Sequence, residues 1–135
     1  MTHPLYVAFI WHQHQPLYKS PNSENNSENE KGQYRLPWVR LHGTKDYLDL
    51  ILILEKYPKL HQTVNLVPSL ILQLEDYAKG KAIDPYLAVA LTPNDQLTLE
   101  QKHFIVEHFF DGNHHTLVDP HPRYSFLYEQ KRFVS

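Results

Sequence analysis

The sequence predicts an α/β fold, and three observations carry that prediction: an apolar β-type run near the N-terminus, a second strand-like segment about fifty residues on, and a helical segment behind each. Leu5 to Trp11 (LYVAFIW) is apolar without alternation and rich in β-branched and aromatic side chains. That is the pattern of a strand buried on both faces, and such strands belong to parallel sheets covered by helices. Leu60 to Val67 (LHQTVNLV) reads as the second strand. The order strand, helix, strand, helix is that of a βαβα unit.

The elements follow in order. After Pro16 the character changes, because Ser20 to Gly32 (SPNSENNSENEKG) holds three Ser, four Asn, three Glu and no hydrophobic residue. A surface loop over 20–33 is expected, with no role for its acidic run. A helix is predicted from Thr44 to Tyr57, with Thr44 as its cap, Asp46 in its first turn and Pro58 beyond its end. Pro68 opens the next helix, which runs to Lys79 and stops at Gly80. Beyond it the signals are all helical. Thr98-Leu99-Glu100-Gln101 fits a capping box, in which the Thr hydroxyl takes one orphan amide and Gln reaches back to another. That helix should extend to about Phe110 and end at Asp111-Gly112-Asn113, and a further helix is expected from Pro122 to about Phe133. The sum is two parallel strands and about four helices, with no internal repeat.

Composition narrows the function classes. The 135 residues make one domain or part of one, and 41% hydrophobic content with 13% aromatics is too apolar for a disordered chain. The apolar runs are short, Leu50 to Leu54 being typical, and fall well short of the roughly 20 residues of a membrane helix. No secretory signal is visible, so a cytoplasmic protein with no membrane partner is expected. A net charge of −2 leaves no basic stripe for phosphates, which argues against nucleic acid. Zero Cys removes disulfides, zinc fingers and thiol nucleophiles together. Only four glycines are present, without a phosphate-cradling loop or a serine elbow. Ten histidines are the unusual part of the inventory.

The sharpest feature is Trp11-His12-Gln13-His14-Gln15-Pro16 at the end of the first predicted strand. Side chains two apart share a face in extended chain, so His12 and His14 point the same way, and Pro16 keeps Gln15 extended. In α/β folds the carboxyl ends of the strands carry the ligand site, which is where this pair falls. Two chemistries fit. Imidazoles can hydrogen-bond sugar hydroxyls, with Gln15 adding an amide and Trp11 an apolar ring face. Alternatively His12 and His14 are two metal ligands, a third coming from His42, His114, His115 or His121. A second constellation, Leu36 to Gly43 (LPWVRLHG), would if extended set Trp38, Arg40 and His42 on one face as a stacking plate, a five-donor fork and an imidazole. The plainer alternative packs Trp38 in the core and pairs Arg40 with Asp46 or Asp49. Asn65 is expected at the end of the second strand in the place that His14 holds on the first, facing a ligand or bonding the entrance of the Pro68 helix. His114, His115 and His121, beside Asp111 and Asp119, read as surface structure.

Tyr6 to Pro16, Leu36 to Tyr47, Val64 to Leu70 and Gln73 to Tyr77, taken in that order, resemble the N-terminal end of glycoside hydrolase family 57. His14-Gln15-Pro16 looks like that family's first motif, and the similarity covers nearly the whole chain apart from the polar loop. The resemblance implies the N-terminal portion of an incomplete seven-stranded (β/α) barrel. It implies action on α-glucans (starch, glycogen or maltooligosaccharide) with retention, of the α-amylase, amylopullulanase, 4-α-glucanotransferase or branching type, without a cofactor. Retaining chemistry needs two carboxyl groups roughly 5 to 5.5 Å apart. In the family these are a Glu and an Asp in later motifs. Glu100, Glu107, Asp111 and Asp119 lie outside any matching motif and are not assigned. The implied part is therefore the opening of a barrel that supplies substrate-binding residues, His14 first and then His12, Trp11, Gln15, Arg40, His42 and Asn65. It would be inactive alone, with an open sheet edge that either a second polypeptide or self-association would cover. A zinc-binding barrel fragment and a non-catalytic glucan-binding module are the alternatives.

Overall fold

The computed structural model describes residues 3–21 and 32–134. The chain divides into two compact units, residues 1–85 and 86–135. In the first unit the strands are β1 (Ile10–Gln13), β2 (Gly32–Gln33), β3 (Thr63–Leu66) and β4 (Ala82–Ile83), and the helices are α1 (Trp38–Thr44), α2 (Asp46–Leu54) and α3 (Pro68–Ala78). The second unit is helical, with α4 (Pro85–Leu91) at its start, then α5 (Leu99–His108) and α6 (Pro122–Gln130). The fold is thus mixed α/β. Among the described residues it has six α-helices and two short pairs of parallel strands.

β1 and β3 pair in parallel, in the register Ile10 to Thr63, Trp11 to Val64, His12 to Asn65 and Gln13 to Leu66. The ladder continues at both ends, where the Thr63 amide donates to the Phe9 carbonyl (3.2 Å) and the Val67 amide to the Gln13 carbonyl (3.3 Å). Two expectations for the first strand are corrected. It begins at Ile10 rather than Leu5, and it is not buried on both faces: Trp11 is 52% exposed and only Gln13 is buried. A strand needs a neighbour on each edge and a helix on each face for that burial, and β3 is its one paired neighbour among the described residues. The second pair, β2 with β4, was not expected. Of the polar loop expected over 20–33, residues 22–31 lie outside the described residues. Its far end, Gly32–Gln33, is strand, and the Ser20 amide donates to the Gln33 carbonyl (2.9 Å).

The helix expected over 44–57 is α2, which starts at Asp46 and ends at Leu54, and a further helix that the sequence reading does not include, α1, precedes it across a break at Lys45. Thr44 does not cap α2. It is the last residue of α1, where its hydroxyl donates back to the carbonyls of Arg40 (3.0 Å) and Leu41 (3.2 Å). Asp46 and Asp49 do lie in the first turn of α2, as the sequence suggests. α1 packs on α3 across Gly43, where a Cβ would come within 2.6 Å of the Leu74 side chain. Val39 on α1 and Leu70 on α3 are both fully buried. α3 starts at Pro68 and closes through Lys79 on Gly80, whose φ of 68° is the left-handed conformation expected of a helix-ending glycine.

In the second unit the capping box of α5 is present in both directions: the Gln101 amide donates to Thr98 Oγ1 (3.2 Å) and the Thr98 amide to Gln101 Oε1 (2.9 Å). The helix ends at His108, two residues before the expected Phe110. A π-helical turn (His114–Val118) and α6 follow, the latter extended by a 3₁₀ turn (Lys131–Phe133) that completes the helix expected over 122–133. Phe110 stacks on Tyr124 with ring centres 5.1 Å apart, and the Tyr124 hydroxyl donates to the Phe109 carbonyl. No helix among the described residues is long and apolar enough to cross a membrane.

Candidate functional site

The chain leaving β1 is held by a buried glutamine. Gln73, on the inner face of α3, accepts from the Tyr18 amide (2.8 Å) and donates to the carbonyls of Pro16 (2.8 Å) and Ser69 (2.9 Å). One turn earlier on α3, the Ser69 hydroxyl donates to the Gln15 carbonyl (2.8 Å). Residues 15–18 therefore form an ordered bracket over the start of α3, and the segment before it is presented in a fixed direction.

His12 and His14 are exposed and side by side, with ring centres 5.8 Å apart and planes tilted by 37°. The expectation that they share a face is met. Asn65 lies across the ladder from His12, not level with His14, and register partners in a parallel pair share a face. It does not cap the following helix, since α3 has no side-chain cap. Alternation turns Trp11 to the opposite face, with Gln13.

Gln15 points into a small aromatic group. Its Nε2 donates to the Tyr47 hydroxyl (3.2 Å) and its Oε1 accepts from the Tyr18 hydroxyl (3.2 Å). The Tyr47 ring is 6.2 Å from that of His42, which is 6.0 Å from Trp38 and bonds Asp46 through Nδ1. Trp38 and His42 do share a face, but because they are four apart on a helix, not two apart in strand. The extended reading of residues 36–43 is therefore corrected. Helical spacing turns Arg40 away from both. Arg40 grips Asp84, with Nε 2.9 Å from Oδ2 and Nη2 3.2 Å from Oδ1, and the Tyr77 hydroxyl donates to the same carboxylate (3.0 Å). The alternative reading fails too: Arg40 pairs with neither Asp46 nor Asp49, and Trp38 is 37% exposed.

A second carboxylate, Asp76, takes the Tyr34 hydroxyl (2.7 Å) and Lys19 Nζ (3.2 Å). Burial pushes the Tyr34 and Tyr77 hydroxyls well above the ordinary tyrosine range. Hydrogen bonding to Asp76 adds to the rise at Tyr34, and the charge of Asp84 adds to it at Tyr77. Both tyrosines stay protonated donors at neutral pH, and their rings lie 5.1 Å apart.

Among the described residues no three His, Cys, Asp or Glu side chains form a group that could hold a metal ion. His115 pairs with Asp119 (3.2 Å), while His114 lies edge-on to Tyr128 with ring centres 4.3 Å apart. These are surface contacts of the kind the sequence suggests. Sequence reasoning missed Tyr18, Tyr47, Ser69 and Gln73. The last two carried a signal, because polar side chains four apart on an otherwise apolar helix face mark a place where that face meets backbone.

The frame is α/β with parallel strands, and its polar side chains stand at the carboxyl end of β1, the end of the strands at which open α/β sheets in general carry their ligands. The model of glycosyl hydrolase family 57 matches residues 8–133, and the chain belongs to this family. No curated protein and no solved structure matches the chain.

Proposed function

We propose that this chain is the opening part of a partial (β/α)7 barrel acting on α-glucans, and that it contributes sugar-contacting side chains without the acid pair. The observation that carries the reading is the exposed His12–His14 pair at the tip of β1. Family membership supports a carbohydrate as the ligand class. His14 donates to or accepts from hydroxyls of the bound sugar, His12 and Asn65 line the same face, and Gln15 orients the strand end through its bonds to Tyr47 and Tyr18. Trp38 and His42 offer a ring surface beside it. Starch, glycogen or maltooligosaccharide in the cytoplasm is the setting.

Hydrolysis or transfer requires a nucleophile and an acid/base about 5 to 5.5 Å apart. Asp76 and Asp84 are occupied by Lys19, Tyr34, Arg40 and Tyr77, so neither is offered as a nucleophile. Glu100, Glu107, Asp111 and Asp119 match no motif that carries such a pair, so this reading makes the chain inactive alone, with a second polypeptide or further copies of the chain covering its open strand edges. Titrating maltooligosaccharides into the protein tests the reading. His14→Ala weakens binding by about tenfold, the worth of one lost hydrogen bond to a sugar hydroxyl. Equal affinity for wild type and variant overturns the site, and robust cleavage of soluble starch overturns the inactivity.

A further inference from the structure

We propose that His12 and His14 form a two-point chelate for an exchangeable late transition-metal ion such as Zn²⁺, Ni²⁺ or Cu²⁺. The site goes beyond the sugar reading and does not depend on it. Several of the other histidines are engaged: His42 with Asp46, His108 with Asp111 and Glu107, His115 with Asp119, and His114 against Tyr128. His12 and His14 differ. Among the described residues they are the histidines in ring contact with each other, and no hydrogen-bond partner meets their ring nitrogens.

The geometry is close to what an ion needs. A tetrahedral ion bound to two imidazoles at roughly 2.0–2.1 Å puts the ring centres about 5 Å apart. The observed separation is 5.8 Å with a 37° tilt. The ring centres sit close to the χ2 axis, so a small change in χ1 within its staggered well closes that gap while χ2, a broad torsion, aims the nitrogens at the ion and the backbone stays fixed. The bracket around Gln73 keeps the strand end in place as they do so. Neutral imidazole favours zinc, nickel and copper over magnesium or calcium, which prefer oxygen ligands.

With two protein nitrogens and no third His, Cys, Asp or Glu nearby among the described residues, water completes the coordination and the ion exchanges freely. The site is therefore a reversible binding point and not a closed structural centre. An ion bound there occupies the same imidazole nitrogens that a sugar hydroxyl would use.

The test titrates Cu(II)–nitrilotriacetate into the full chain and reads the electron paramagnetic resonance spectrum, without glucan. The capped ion leaves two coordination positions, so a lone histidine gives one imidazole nitrogen and the proposed pair gives two. The expected result is one equivalent bound with two nitrogens. His12→Ala and His14→Ala each lose the second nitrogen and weaken binding by about tenfold. The double variant H114A/H115A keeps the wild-type pattern. Both rings are exposed, so the single variants keep the wild-type far-ultraviolet circular dichroism. A one-nitrogen spectrum for the wild type, or a two-nitrogen spectrum that survives His14→Ala, overturns the proposal. Loss of glucan binding with the copper result intact would sink the sugar reading and leave this one standing.

Discussion

Gln73 holds three backbone groups at once, accepting one hydrogen bond and donating two. It is fully buried, and it satisfies the Tyr18 amide and the Pro16 and Ser69 carbonyls. Truncating it removes three partly buried hydrogen bonds to the backbone, each worth about 0.5–1.5 kcal/mol, and leaves a cavity behind. Gln73→Ala is therefore expected to destabilise the protein by about 2–4 kcal/mol in urea unfolding, and to loosen the bracket that aims His14. A loss below about 0.5 kcal/mol, the range of an ordinary surface substitution, would show that the bracket is not needed. The buried tyrosines give a second expectation, whose sign follows from proton counting. Folded Tyr34 and Tyr77 keep their protons above the ordinary value of 10.0, whereas the unfolded chain gives them up there. Their contribution to stability is fully present below about pH 10 and is lost as pH rises towards the folded-state values, at up to about 1.4 kcal/mol per pH unit for each. Stability measured from pH 8 upward should fall beyond about pH 10, more gently in the Tyr34→Phe/Tyr77→Phe double variant. Equal slopes for the two proteins would contradict it.

Helix ends decided how much of the chain could be read in advance. α3, α5 and α6 begin and stop at residues whose chemistry is local: Pro68 and Gly80, the Thr98–Gln101 box, and Pro122. Their boundaries fall within a few residues of the sequence reading for that reason. Gly80 sits at a φ of 68° with nothing within 4 Å of where a Cβ would stand. Gly80→Ala thus isolates the backbone term, and a loss of about 1 kcal/mol in thermal or urea unfolding is expected. No change would mean that the helix end relaxes to another conformation. α1 was less legible, since Gly43 near its end and Trp38 at its start gave no helical period, although Pro37 just before it is a helix-opening residue. At Gly43 a Cβ would meet the tip of the Leu74 side chain on α3, a fact of packing that spacing alone does not carry. β2 and β4 are two residues each, too short for any alternation to register. At the site, the His12–His14 pairing was readable because it is local to one strand, whereas the Arg40–Asp84 pair joins residues 44 apart and was not.

The first unit leaves much of its apolar surface uncovered. α2 is apolar almost all round, and Leu48, Ile51, Leu52 and Ile53 are each close to half exposed. A helix of that pattern belongs inside a larger core. The sheet gives the same indication: Trp11 on one strand and Leu66 on the other are about half exposed, and a two-stranded parallel pair keeps unpaired backbone groups along both outer edges. Covering a half-exposed large aliphatic side chain is worth roughly 1 kcal/mol, so the α2 patches of two chains, buried against each other, together offset an association cost at the low end of its usual range. The uncovered surface, and not the family likeness, predicts that the purified chain associates. Its average mass in sedimentation equilibrium should exceed the 16.0 kDa of one chain and fall towards it on dilution. Ile51→Glu together with Ile53→Glu puts charge into the patch without touching the site. This double variant should sediment as single chains while the far-ultraviolet circular dichroism stays that of the wild type. A wild-type protein that runs as one chain at every concentration, and binds no hydrophobic dye, would mean that the exposed face of α2 is tolerated in water, and the case for a missing covering partner would fail with it.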